Sequence, residues 1–141
     1  MLKENMKKIL MIFTALLFGS LLWGCFDYAI DEDGLLVSED GGCYVLNFDL
    51  IDTDQKTVKS SVYPPVIDTT SCTIDIYVVY GAVLDNVYPR FSLYLNCKLE
   101  PKITGRMDLS DMQPRQWDVI SGNRKVRKTY TVYFHEEEPI K

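Results

Sequence analysis

The 141-residue chain contains a single histidine, His135, close to its C-terminus. One imidazole leaves nothing for a His-rich metal centre and little for a catalytic triad. Basic side chains are also short: 15 Lys+Arg against 20 Asp+Glu give a formal net charge of −5. Nucleic acid is therefore excluded as a partner, because phosphate neutralisation needs clustered Lys and Arg. The chain has no Gly-rich phosphate loop, no Cys-x-x-Cys, no His-Glu pair at metal spacing and no nucleophile elbow. No cofactor, no metal and no catalytic residue are expected, and the chain reads as non-enzymatic. Its longest apolar run, residues 9–22, would rise about 21 Å as a helix, short of the roughly 30 Å hydrocarbon core. Against these absences stand 47% hydrophobic and 12% aromatic residues, which exclude a disordered or fibrous chain.

The apolar run follows a basic start at Lys3, Lys7 and Lys8. That order is signal-peptide chemistry, and residues 1–24 are read as a leader. Its end, Leu22-Trp23-Gly24-Cys25, resembles the lipobox of bacterial lipoproteins. The resemblance implies that Cys25 is lipidated, becomes the mature N-terminus and is the membrane partner through more than one acyl chain. The alternative is an ordinary secretory signal with Cys25 a bystander. Residues 25–42 form an acidic tether, with Asp27, Asp31, Glu32 and Asp33 close behind the anchor and Gly-containing turn clusters after them. Acidic residues there are similar to the export signal of Bacteroidetes surface lipoproteins. An outer-membrane location on the cell surface is thus favoured over the periplasmic side.

Beyond residue 42 the periodicity is two. Tyr44, Leu46, Phe48 and Leu50 alternate with Val45, Asn47 and Asp49; Ile74, Ile76, Val78 and Tyr80 alternate with Asp75, Tyr77 and Val79. Phe91, Leu93, Leu95, Cys97 and Leu99 form a third set, and Tyr130, Val132 and Phe134 a fourth. Such alternation marks half-buried strands, with the first-named residues of each set facing inward. The polar turn 121–124 joins residues 117–120 to 126–134 as a C-terminal hairpin, and Pro64-Pro65 favours an extended edge. The expected fold is all-β, a small antiparallel immunoglobulin-like β-sandwich over residues 43–135, with an acidic tail at 136–141.

Three stretches carry a resemblance to the immunoglobulin-like β-sandwich of unknown function at the N-terminus of many Bacteroidetes lipoproteins. They are residues 73–78 with Pro89-Arg90-Phe91-Ser92-Leu93, then Gly105 with Asp108-Leu109-Ser110, and the closing segment from Trp117-Asp118-Val119 to Lys128-Thr129-Tyr130-Thr131-Val132. That module often precedes a domain ascribed to carbohydrate metabolism. The resemblance implies a fold and a carbohydrate-associated setting. It brings no binding residues with it.

Candidate chemistry is sparse. With Cys25 lipidated, Cys43, Cys72 and Cys97 remain. In-phase alternation and an antiparallel pairing of their strands would bring Cys72 and Cys97 together as a disulfide closing a loop, worth ~3 kcal/mol. Three unpaired thiols are the alternative. Asp31, Asp33 and Gly34 are half of a calcium loop without the later Glu, and His135 reads as a solvated strand-end residue. Asp108, Asp111 and Asp118 sit around turns, where acidic residues are expected anyway.

Aromatics are the only hint of recognition. Trp117, Tyr94 and Tyr77 are the candidates for stacking on a sugar ring, with cross-strand packing as the other reading. The function expected is a surface lipoprotein module, structural or spacing, associated with glycan capture. Its partners would be the membrane and a glycan or another surface lipoprotein. An adhesin or pilus-associated subunit, or an accessory fragment of a glycan-processing enzyme, are the alternatives. Fold alone does not choose among them.

Overall fold

The computed structural model describes residues 1–20 and 29–139. Helix α1 (Leu2–Ser20) falls within the stretch 1–24 read as a leader, and among the described residues no helix is long and apolar enough to cross a membrane. Seven strands follow: β1 (Val45–Ile51), β2 (Val66–Asp68), β3 (Thr73–Val78), β4 (Tyr88–Leu93), β5 (Lys98–Glu100), β6 (Arg115–Ile120) and β7 (Arg127–Glu136). They form an all-β sandwich, in which a two-stranded sheet β1-β4 faces a five-stranded sheet ordered β2-β3-β7-β6-β5. All pairings are antiparallel except β3 with β7, which run parallel. Sequence-distant strands are thus brought side by side, with Tyr77 opposite His135 and Asp75 opposite Tyr133.

Strict alternation builds the core. In β3, Ile74, Ile76 and Val78 are buried while Thr73, Asp75 and Tyr77 face outward; in β7, Tyr130, Val132 and Phe134 are buried as their spacing predicts. The hairpin between β6 and β7 closes as expected. The Ser121 N–H donates to the Val126 carbonyl at 2.9 Å, and the Val126 N–H donates to Ser121 Oγ at 3.0 Å. Pro64-Pro65 leads directly into β2, an edge strand, where missing N–H donors cost no ladder bonds.

Three expectations fail, each for a local backbone reason. Strand β3 ends at Val78, so Tyr80, expected inward, lies in the following turn at 58% exposure. The register of β1 against β4 slips between Val45 and Asn47, a β-bulge that flips the phase. Tyr44 and Leu46 therefore point out, Leu46 at 61% exposure, and Val45 takes the inward place. The alternation read from Phe91 through Leu99 is likewise not one strand. A turn with Asn96 at φ 56° ends it, the Cys97 N–H donating to the Tyr94 carbonyl at 3.0 Å. The chain there leaves the small sheet and enters β5 of the large one. Leu95 is exposed at the crossing.

The same topology separates Cys72 from Cys97. Cys72 precedes β3, next to the β2 edge of the large sheet, whereas Cys97 precedes β5 at that sheet's opposite edge. Cys43, Cys72 and Cys97 are all free thiols. The Cys97 thiol donates to the Gly42 carbonyl (3.2 Å) and the Cys43 thiol to the Val119 carbonyl (3.0 Å). Burial pushes both thiols' pKa values up, so they rest in the protonated, unreactive form.

Residues 29–42 are irregular but strapped to the large sheet. Asp31 caps its own turn, accepting the Leu35 N–H at 2.9 Å and the Asp33 N–H at 3.1 Å, while its other oxygen meets Arg124 at 2.9 Å. Asp33 meets the buried Lys98 at 2.8 Å. Arg124 also donates to the carbonyls of Leu36, Asn96 and Ser121. Gly122 is required at the crossing, since a Cβ there would lie 2.3 Å from Ser38 Oγ. The acidic charge that suggested a calcium loop is therefore cancelled by cations of the chain itself.

Candidate functional site

Of the three aromatics singled out from the sequence, the structure leaves one on an open sheet face. Trp117 is only 4% exposed and packs edge-on against Phe91 across the two sheets, ring centroids 5.2 Å apart. Both faces of its indole are inside the sandwich, so it cannot stack on a sugar. Its flanking Arg, Gln and Asp hid this in the sequence; its place opposite Tyr130 in the β6–β7 register makes it core. Tyr94 lies in the turn after β4, edge-on to Tyr44 at 5.7 Å, its ring filling the space that a Cβ at Gly42 would take. A neighbouring Asp40 carboxylate pushes the Tyr94 phenol pKa up. It is a packing residue, and its turn follows β4 of the small sheet whereas Tyr77 is on β3 of the large one. Cys25 lies outside the described residues.

Tyr77 is different. It stands on the outer face of β3 between two other rings: Tyr63 at 5.2 Å, tilted by 40°, and His135 at 4.8 Å, stacked at 26°. The parallel β3–β7 pairing supplies His135, which no alternation pattern could have placed beside Tyr77. Asp75, two residues back on the same face, holds the imidazole through a 2.8 Å hydrogen bond to Nε2. His135 is therefore not a free strand-end residue. It is held in plane.

Tyr63 is brought in by Ser60, a buried residue that the sequence did not single out. The Ser60 N–H donates to the Tyr77 carbonyl at 2.7 Å, and Ser60 Oγ accepts the N–H groups of both Val62 and Tyr63 at 3.0 Å. This Ser-turn swings the segment ahead of Pro64-Pro65 over the sheet, and Tyr63 lands beside Tyr77. The signal was present as Ser60-x-x-Tyr63-Pro64, but its target was not.

Beyond the rings the same face continues as a polar ladder. Tyr133 is exposed on β7 opposite Asp75, and Gln116 Nε2 donates to Thr131 Oγ1 at 3.2 Å. Thr129 donates to Asp118 at 2.7 Å, and Arg127 bridges Asp118 and Glu100, each at 2.7 Å. The Thr129 hydroxyl and then Arg127 hold Asp118 below the usual carboxylate range, and Arg127 does the same for Glu100. These carboxylates stay ionised at neutral pH and are engaged in the ladder. None is poised as a proton donor. Among the described residues no group of three or more His, Cys, Asp or Glu could hold a metal ion.

The face is thus a row of flat rings at one end and hydroxyl, amide and carboxylate groups along the rest. No protein-family model matches the chain, and no curated protein does. Solved structures share its fold. A candidate glycoside hydrolase of Bacteroides thetaiotaomicron superimposes with a TM-score of 0.56 at 20% identity, over 79% of this chain and 28% of that one. A candidate secreted protein of Bacteroides fragilis superimposes with a TM-score of 0.50 at 10% identity, over 70% of this chain and 98% of its own. At these identities the likeness is one of fold. The chain spans little more than a quarter of the first protein and nearly all of the second, so the sandwich occurs both as part of a larger chain and by itself. Both neighbours come from Bacteroides, which agrees with a Bacteroidetes origin.

Proposed function

We propose that this protein is a non-enzymatic surface lipoprotein, anchored in the outer membrane through acyl chains on Cys25, whose sandwich spaces and supports glycan capture. The observation that carries the reading is the aromatic end of the outer sheet face. Tyr63, Tyr77 and His135 present adjoining rings beside Asp75 and Tyr133. A pyranose ring has an apolar C–H face and a rim of hydroxyls. Flat rings take the first, and a carboxylate, a phenol and the Gln116 amide nearby take the second. The fold's occurrence within a candidate glycoside hydrolase, where the matching region is a minor part of the chain, supports an accessory role in a glycan setting.

The test is an immobilised-glycan panel probed with the full chain and with Tyr77→Ala. The reading expects a glycan signal that Tyr77→Ala loses while its melting temperature stays within a few degrees of the parent. A panel on which the parent binds nothing, or binding unchanged in Tyr77→Ala, overturns glycan capture at this face.

A further inference from the structure

The opposite sheet carries a second feature, which the aromatic face does not use. At the end of β1-β4, where Ile51 pairs with Tyr88 and Asp49 with Arg90, a cleft of about 370 Å³ is lined by Ile51, Gln55, Tyr88, Arg90 and Arg106. That volume lies within the ~300–1,000 Å³ range of small-ligand sites. Two guanidinium groups in one cleft are unexpected in a chain of net charge −5.

Both arginines are fixed in place, but only one is neutralised. Arg90 Nη2 donates to Asp49 Oδ2 at 3.0 Å. Asp49 is buried, and its other oxygen accepts the Thr57 hydroxyl at 2.5 Å and the Leu50 N–H at 2.9 Å. Its charge is thus fully spent on groups of its own neighbourhood. Arg106 reaches across from the segment after β5 and donates Nη1 to two backbone carbonyls, Ile51 at 3.0 Å and Asn86 at 3.2 Å. Among the described residues no carboxylate pairs with it. Asp52, Asp54 and Asp85 line the adjoining groove with Lys56 rather than this cleft. Arg106 is therefore a half-buried, oriented guanidinium with one edge committed and its charge uncompensated. A planar anion on the remaining edge satisfies both needs, because a guanidinium matches a carboxylate with two parallel N–H···O bonds.

We propose that this cleft binds the carboxylate of an acidic saccharide, a hexuronate residue. Arg106 takes the carboxylate, the Tyr88 ring lies along the sugar, and Gln55 and the uncommitted nitrogens of Arg90 meet ring hydroxyls. The proposal rests on the reading that the chain meets glycans, and its surface shares no residue with the Tyr77 face, so a failure at one surface is distinguishable from a failure at the other.

The experiment titrates the full chain with trigalacturonate, with its methyl ester, and with sodium acetate, following amide shifts by NMR. Trigalacturonate is expected to shift the signals of Tyr88, Arg90 and Arg106, and to bind about tenfold or more tightly than the ester, a difference near 1.4 kcal/mol. Arg106→Gln should lose about that factor. Because Arg106 also ties two loops, Gln55→Glu serves as the second variant. It places a like charge in the cleft from an exposed turn and should weaken the acid by a larger factor than the ester, which loses only the Gln55 amide. Tyr77→Ala should leave trigalacturonate binding at the cleft unchanged. Equal affinity for acid and ester, insensitivity to Gln55→Glu, or acetate binding as tightly as trigalacturonate would each overturn the proposal, the last by reducing the cleft to a simple anion site.

Discussion

Truncating Trp117 tests the core role that the structure gives this side chain. The indole is 4% exposed and joins the layers, resting edge-on against Phe91, which in turn packs against Phe48 at 4.7 Å. An aromatic side chain of this size buries ~200 Å², which at ~25 cal/mol per Å² corresponds to about 5 kcal/mol as an upper figure. Phe or Trp to Ala changes in cores cost ~3–5 kcal/mol, the spread reflecting how far the site collapses. Against a total stability of ~5–15 kcal/mol, Trp117→Ala removes a large share. For a domain of this size that is a fall in melting temperature of about 10 °C or more. Circular dichroism melting of the full chain measures it, with Tyr133→Ala as the exposed aromatic control, expected to cost under ~1 kcal/mol. A Trp117→Ala variant melting within about 2 °C of the parent would refute the layered packing, and with it the argument that this residue is core.

Other expectations follow from the same packing and charge arrangement. Val45→Asp should destabilise by several kcal/mol and Leu46→Asp by less than ~1 kcal/mol, because the bulge places the first inside and the second in water; urea titration of both variants checks it. Ser60→Ala removes the hydroxyl that accepts the Val62 and Tyr63 N–H groups, so it should cost ~1–2 kcal/mol and broaden the Tyr63 resonances. Asp31, Glu100 and Asp118 have folded pKa values below the usual carboxylate range. They therefore contribute stability that is present above ~pH 4 and lost as pH falls through the depressed values. Arg127→Gln should flatten that acid limb, and a limb of unchanged slope would show that Glu100 and Asp118 do not carry it. The proposed lipid anchor expects Cys25→Ala to leave the protein out of the detergent phase on partitioning, and unchanged partitioning of that variant would refute it.

How much was legible in the sequence divides along local and non-local lines. The β6–β7 hairpin was readable because its alternation is unbroken and its turn carries Ser121, Gly122 and Asn123. The inward residues of β3 and β7 came out correctly for the same reason, except Tyr80, which falls past the end of β3. In β1 one extra residue at the bulge reversed the first half of the strand, and alternation alone carries no mark of such an insertion. After β4, Asn96 at positive φ ended a pattern that otherwise continued, so one apparent strand was two, in different sheets. That break also misplaced the pairing of Cys72 with Cys97. The candidate site was half visible. Tyr77 was placed on an outward face by period two, but its companions Tyr63 and His135 are fourteen and fifty-eight positions away in sequence number. They arrive through a Ser-turn and a parallel strand pair, neither of which has a periodic signature. Trp117 was open to both stacking and packing in the sequence, because polar neighbours on a strand speak for the opposite face, not for the residue between them; the structure gives it the packing role.

The central claim is that the outer face at Tyr63, Tyr77 and His135 holds a sugar. Amide and aromatic shift mapping of the full chain tests it most directly, during titration with a neutral glycan taken from the immobilised panel. The account predicts that the largest shifts fall on Tyr63, Asp75, Tyr77, Tyr133 and His135, and that they vanish in Tyr77→Ala. Saturating shifts confined to another surface, or none on this face, would contradict it.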